Sequence, residues 1–360
     1  MKSRRNSSFE MLRIFSMFAI VLHHYAYHGT FKWQQYSATH LPTLRTSMVI
    51  LLLGKLGVDL FVLLGAYFLS QKKFSARRPI KLLIVTIFYS FFIFAFLKIF
   101  FPQFVRESLG QLLLPLPFPS GYWFVGAYIF MLLCMPLMNL MLRVFNKKQM
   151  VLSIALLVML WSILPTLGYL FPGKPDFSYD VFGSSAGTYF LLLYLISGYM
   201  RKYGLRFLNT NIKLYGTLIF TLTVIALWTY MCTLNGHLYE HGNIFILLYN
   251  PIDLLLAVII FTFFTRFTFY SKVVNEISLS MFGVYLISEN SFVRPILWQN
   301  IANSARFVGT WGGYLLNALW ISFCVFISCI IVDFLIRKIF GRFFNKVTFW
   351  MSEKIDYFID

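Results

Sequence analysis

Phe9-Glu10-Met11-Leu12-Arg13-Ile14-Phe15-Ser16-Met17-Phe18-Ala19-Ile20-Val21-Leu22-His23-His24-Tyr25 is the stretch on which the rest of the chain turns. It is apolar enough to cross a bilayer, yet it carries Glu10, Arg13, His23 and His24. An ionisable group in a membrane span is expensive unless paired or solvated, so such groups mark a functional site by default. Arg13 and His24 are eleven residues apart, which on a helix is three turns, about 20° of residual rotation and about 16 Å of rise. They therefore share a face, and His23 points about 80° away from it. His24 is the better candidate to share a cavity with Arg13. A second reading stays open at this point, with the histidines at the outer interface and Arg13 snorkelling to the inner surface.

The composition sets the class. Of 360 residues, 59% are hydrophobic, 20% aromatic and only 12% charged, which describes a polytopic membrane protein. Runs of about 20 apolar residues occur near 9 to 28, 46 to 70, 79 to 101, 121 to 143, 150 to 171, 187 to 200, 212 to 234, 245 to 265, 277 to 298 and 313 to 336. The expectation is an all-α integral membrane bundle of about ten transmembrane helices, a single domain over residues 1–360. The formal charge of +18 would point to nucleic acid in a soluble chain. With the N-terminus assigned to the cytoplasm, however, inner segments carry 22 of the 31 Lys and Arg, outer loops five, and the spans four. That asymmetry predicts both termini in the cytoplasm of a cell membrane and explains the basic excess by topology and anionic lipid, with no nucleic acid. The four cysteines show no C-x-x-C pair, which argues against disulfides, zinc or redox chemistry. No small-residue cleavage site follows the first span, so a removed signal peptide is not expected. The turn-rich stretches Pro102 to Ser120 and Pro172 to Ala186 would frame an outer mouth.

Four further groups could carry chemistry. Lys55 and Asp59 lie one turn apart in the second span, where they either neutralise each other or leave Asp59 free to orient His24 or Arg13. The inner loop Lys72-Lys73-Phe74-Ser75-Ala76-Arg77-Arg78-Pro79-Ile80-Lys81 places five basic residues at a helix start, with Pro79 at an N1-like position, and would clamp phosphates. Tyr122, Trp123 and Tyr128 open the fourth span, as interfacial belt or as a shelf for a sugar ring. The ninth span, Ser278 to Arg294, is dense in polar residues that need partners inside the bundle. Glu289 and Arg294 are five apart there, off ideal helical pairing, which assigns them separate roles. Asp253 and Asp333 look structural, and a metal pair at His237 and His241 would lack further ligands.

Glu10-x-x-Arg13, ten intervening residues and His24, then Gly57-Val58-Asp59-Leu60-Phe61, the basic inner loop and Tyr285-Leu286-Ile287 together resemble the membrane-bound acyltransferase-3 family. These are bacterial O-acyltransferases of polysaccharides and other envelope glycans. The resemblance implies catalytic roles for His24 and Arg13, with Asp59 or Glu10 as balancing carboxylate. It implies binding of acyl-CoA, with acetyl-CoA the expected cosubstrate and no metal, by Arg77, Arg78 and Lys81, with Lys73 beside them. A carbohydrate acceptor would meet Trp123, Tyr122, Tyr128, Glu289 and Arg294. The chain departs from the family pattern in having Leu64-Gly65 after the Asp-Leu-Phe run, Lys81 at the end of the basic motif and Ser288 after Tyr-Leu-Ile. No appended extracellular hydrolase-like domain is expected. A transporter, flippase or polymerase of envelope glycans is the competing class, and intramembrane charges suit it too. A noncatalytic membrane partner is the third.

Overall fold

The structure, a computed structural model, describes residues 6–105, 122–171, 185–309 and 311–359. Among the described residues it is helical throughout and has no strand. The segments expected to frame an outer mouth fall almost wholly outside the described residues, as do Ser120 and Gly121.

At the centre is an antiparallel pair, α1 (Ser7–Tyr27) and α2 (Leu41–Leu69). Asn6 starts α1 by accepting the Ser8 N–H at 3.0 Å, which satisfies one orphan donor of the first turn. Two glycines set the spacing of the pair. The His23 ring occupies the space a Cβ on Gly54 would need, and a Cβ on Gly57 would sit 2.5 Å from the Ser16 carbonyl oxygen. The glycine of the Gly-Val-Asp-Leu-Phe run is thus a point of backbone contact between helices, as small residues commonly are in membranes. Gly57→Ala should push the pair apart and destabilise the fold by about 1–3 kcal/mol. Thermal unfolding in detergent checks this, and an unchanged transition would show that the contact is not tight.

Around this pair are α3 (Arg77–Phe100), the short helices α4 (Trp123–Leu133) and α5 (Met135–Val144), and α6 (Lys147–Val158), which passes through a π turn into α7 (Leu164–Leu170). They are followed by α8 (Ala186–Tyr203), α9 (Asn211–Cys232), α10 (Gly236–Gly242), α11 (Pro251–Thr265), α12 (Lys272–Ser278), α13 (Met281–Ser288) and the 49-residue α14 (Trp311–Ile359). The prolines explain the interruptions. Pro136 lacks an N–H and opposes the carbonyl of Leu132, and α4 and α5 meet at a 49° bend. Pro165 does the same to Trp161, where the π turn Met159–Ile163 absorbs the mismatch.

Six helical stretches are long and apolar enough to cross a membrane, or seven if the bent α4–α5 pair is one crossing. The first, sixth and ninth apolar runs of the sequence are not among them. The first is diluted by its four ionisable residues and the sixth is an 18-residue helix. The ninth is broken into α12, α13 and a turn. Helices α2 and α8 are largely buried, whereas Leu152 on α6, Ile219 and Phe220 on α9 and Leu316 on α14 face outward as an apolar perimeter. On α14, Asp333 accepts from Tyr89 of α3 at 2.6 Å and pairs with Arg337 at 2.6 Å. Arg337 in turn donates to Ser280 at 2.8 Å, so this pair fastens α14 to α3 and to the start of α13.

Candidate active site

The C-terminal half of α1 opens onto a cavity of about 230 Å³ that is lined by His24, His28, Lys55, Trp123, Glu289 and Arg294 among others. Glu289 reaches it because α13 ends at Ser288 and the chain turns. Asn290 accepts the Phe292 N–H at 3.0 Å to close that turn, and it donates to the Tyr122 hydroxyl at 3.0 Å. The same hydroxyl donates to the Leu286 carbonyl at 2.7 Å. One oxygen of the Glu289 carboxylate lies 3.3 Å from Nε2 of both His24 and His28, and the other lies 3.6 Å from the Arg294 guanidinium. Neither imidazole makes an aligned hydrogen bond to that oxygen. Catalytic contacts are commonly loose without substrate and tighten on binding. A His24 tautomer with Nε2–H toward the carboxylate leaves the lone pair on Nδ1, which is buried and has no protein partner.

Two further hollows, of about 270 and 380 Å³, continue toward the other end of α1. Both are lined by Arg13, Gly65 and Tyr128, and Arg13 pairs with Glu10 at 2.7 Å. The wider one also takes in Arg78 and Lys81. The middle hollow and the His24 cavity share Phe61, Phe124 and Phe282, so the three spaces lie in file from Arg78 and Lys81, past Arg13, to His24.

A family model described as an acyltransferase domain matches residues 6–338. The chain belongs to the acyltransferase-3 family. No curated protein and no solved structure matches it.

For this acyltransferase the expected site residues divide by position. His24 and Arg13 share a face of α1, as the spacing requires, but they open onto successive hollows separated by three aromatic rings rather than onto one. His23 is held by the Leu51 carbonyl, with Nδ1 at 3.0 Å, and stacks on Tyr27. Asp59 does not face either group. It is fully buried on the far side of α2, where it accepts from Tyr189 of α8 at 3.0 Å. Among the described residues it forms no ion pair with Lys55, whose ammonium lies 5.7 Å from the centre of the Tyr27 ring. The carboxylates nearest His24 and Arg13 are therefore Glu289 and Glu10. Glu289 and Arg294 do pair, contrary to the separate roles their spacing implied, because the helix breaks between them.

The aromatic shelf is likewise split. Trp123 lines the His24 cavity, Tyr128 the two hollows beside Arg13, and Tyr122 sits behind the Glu289 turn as its clamp. At the other end of the file α3 begins at Arg77, so Pro79 is its third residue rather than its first, still within the turn whose N–H groups lack intrahelical partners. Arg78 and Lys81 reach the wide hollow, Arg77 is exposed outside it, and Lys73 lines a different pocket. The loop is fixed by α14: Asp356 accepts from Ala76 N–H at 2.7 Å and from Ser75 at 3.1 Å, and Lys81 donates to Asn345 at 3.1 Å. His28 is the residue sequence reading passed over, although its spacing of four from His24 is the signal that puts both on one face.

The nearest ring nitrogens of His24 and His28 and a Glu289 oxygen lie within 4.8 Å of one another, a set with metal-ligand chemistry. Arg294 on the other carboxylate oxygen and the Lys55 ammonium in the same cavity oppose a dication there. The arrangement fits a carboxylate that orients two imidazoles.

Proposed function

We propose that the chain transfers an acyl group, acetyl being the simplest, from acyl-CoA in the cytoplasm to a hydroxyl of a cell-envelope or exported carbohydrate. In this reading the bundle crosses the plasma membrane ten times with both termini inside, which puts the Arg78 end of α1 in the cytoplasm and the His24 end outside. The observation that carries it is the succession of three adjoining hollows, from two basic side chains at one end to an imidazole beside a carboxylate at the other.

The phosphates of CoA would engage Arg78 and Lys81, with Arg77 and Lys73 adding field at the mouth. The thin pantetheine arm would thread past Arg13 and Tyr128. His24 Nδ1 takes the proton of the acceptor hydroxyl as the new C–O bond forms and the C–S bond breaks, and the thiolate leaves as CoA. In the covalent variant the same nitrogen first takes the acyl group and then passes it on. Histidine's ordinary pKa of about 6.5 makes the neutral ring accessible in both. Arg13, balanced by Glu10, would stabilise charge on the carbonyl oxygen or the departing sulfur. Trp123 at the outer opening would stack on the acceptor ring, and Arg294 would hydrogen-bond its hydroxyls.

The test is a proteoliposome assay with labelled acetyl-CoA, following CoA release and label on carbohydrate. Arg78→Ala should raise KM for acetyl-CoA about tenfold with kcat retained, the loss of one charge-assisted contact. Movement of an intact glycan without CoA release would instead establish the transporter reading.

A further inference from the structure

A pocket of about 510 Å³ lies beside the inner mouth and is separate from the file of hollows. Lys72 and Lys73 enter it from the loop after α2, Arg143 from the end of α5, and Arg201 and Lys202 from the end of α8. Among the described residues no carboxylate lines it. Positive-inside topology accounts for cations on this surface, but not for five of them converging on one concavity without a counter-charge.

Three of the cations are each anchored through one hydrogen bond, and the Arg201 guanidinium also lies 4.6 Å from the centre of the Tyr67 ring. Lys202 donates to the Leu142 carbonyl at 2.6 Å, Arg143 to the Asn139 carbonyl at 3.4 Å, and Arg201 to the Tyr67 carbonyl at 2.5 Å. Those contacts serve helix C-terminal carbonyls and leave the remaining N–H groups of two guanidiniums and an ammonium free for a ligand. The loop is fixed as well, since buried Asn139 donates to the Lys72 carbonyl at 3.0 Å and accepts from Tyr194 at 2.9 Å. Cations ordered before a ligand arrives lose less entropy on binding it.

We propose that this pocket is a phosphate-ester site, distinct from the mouth at Arg78 and Lys81. The pocket is larger than a bare phosphate needs and matches a phosphate carried on an organic group. That group can be an anionic phospholipid headgroup of the inner leaflet or the nucleotide end of a cosubstrate. The second source adjoins the mouth, because Arg78 donates to the Lys73 carbonyl at 2.8 Å, and that source alone rests on the acyl-CoA reading above.

The experiment uses the full chain in two arms. In phosphatidylcholine nanodiscs, binding of adenosine 3′,5′-bisphosphate is titrated. In parallel, native mass spectrometry compares retention of phosphatidylglycerol and phosphatidylcholine. Saturable binding in the first arm identifies the nucleotide source, and selective retention in the second the lipid source. Whichever binding is seen should fall about tenfold or more in Arg143→Gln/Lys202→Gln, as expected for two charge-assisted contacts. It should change less than about twofold in Lys148→Gln, which removes an exposed inner charge outside the pocket. The charge-conserving Arg143→Lys/Lys202→Arg should keep most of it, which separates lost charge from lost fold. Absence of saturable binding in both arms, equal loss in Lys148→Gln, or equal loss in the charge-conserving variant overturns the proposal. Turnover is not measured in either arm, so failure here leaves the acyl-transfer reading untouched.

Discussion

His24→Ala should abolish acyl transfer, with any residual rate about a thousandfold or more below wild type. The ring lines the cavity and its Nδ1 has no hydrogen-bond partner among the described residues, and on the proposed reading both the general-base and the covalent route pass through that atom. On the proposed reading the loss should fall on kcat and leave acetyl-CoA binding near its wild-type value, because the phosphates would be held at the far end of α1. Thermal unfolding should shift little, since the side chain contributes no aligned hydrogen bond to the packing. A variant that turns over at more than about a tenth of the wild-type rate would remove His24 from the chemistry and sink the catalytic proposal.

Glu289→Gln should lower kcat about a hundredfold. The amide keeps the shape of the carboxylate but removes the charge that faces His24, His28 and Arg294 together. Three basic side chains would then crowd one another around a neutral group, and the imidazole would lose both its orientation and the counter-charge it needs when it takes a proton. Glu289→Asp should recover part of the rate if position matters less than charge. The discriminating measurement is the kcat of the two variants side by side at fixed acetyl-CoA. If Gln works as well as Glu, the carboxylate is packing and not mechanism.

The relation of Arg13 to His24 was legible in the sequence because it follows from helical geometry alone, and Gly-Val-Asp-Leu-Phe pointed correctly to a special place on α2. The reasons for that place were not legible. Gly57 is there for contact with α1, and Asp59 turns to Tyr189 because a residue two along a helix from a contact position faces roughly the opposite side. Glu289 and Arg294 were read as independent because spacing was measured along an assumed helix, and the turn after Ser288 has no proline or glycine to announce it. The clamp role of Tyr122 depends on a partner 168 residues away, a contact that no local pattern encodes. The basic loop was visible as a charge run. Its division between two pockets depends on where α5, α8 and the tail of α14 pack.

The three phenyl rings of Phe61, Phe124 and Phe282 stand between the outer cavity and the hollows below it. The transfer proposed above, with a thioester drawn from one compartment to serve the other, would risk short-circuiting the ion gradients that power the cell. A constriction walled by benzyl groups dewets readily and offers no dipole to a hydrated sodium ion or a proton wire. On the proposed reading, a slender, uncharged acyl-pantetheine would part such rings, and the catalyst would reach across the insulating layer without discharging it.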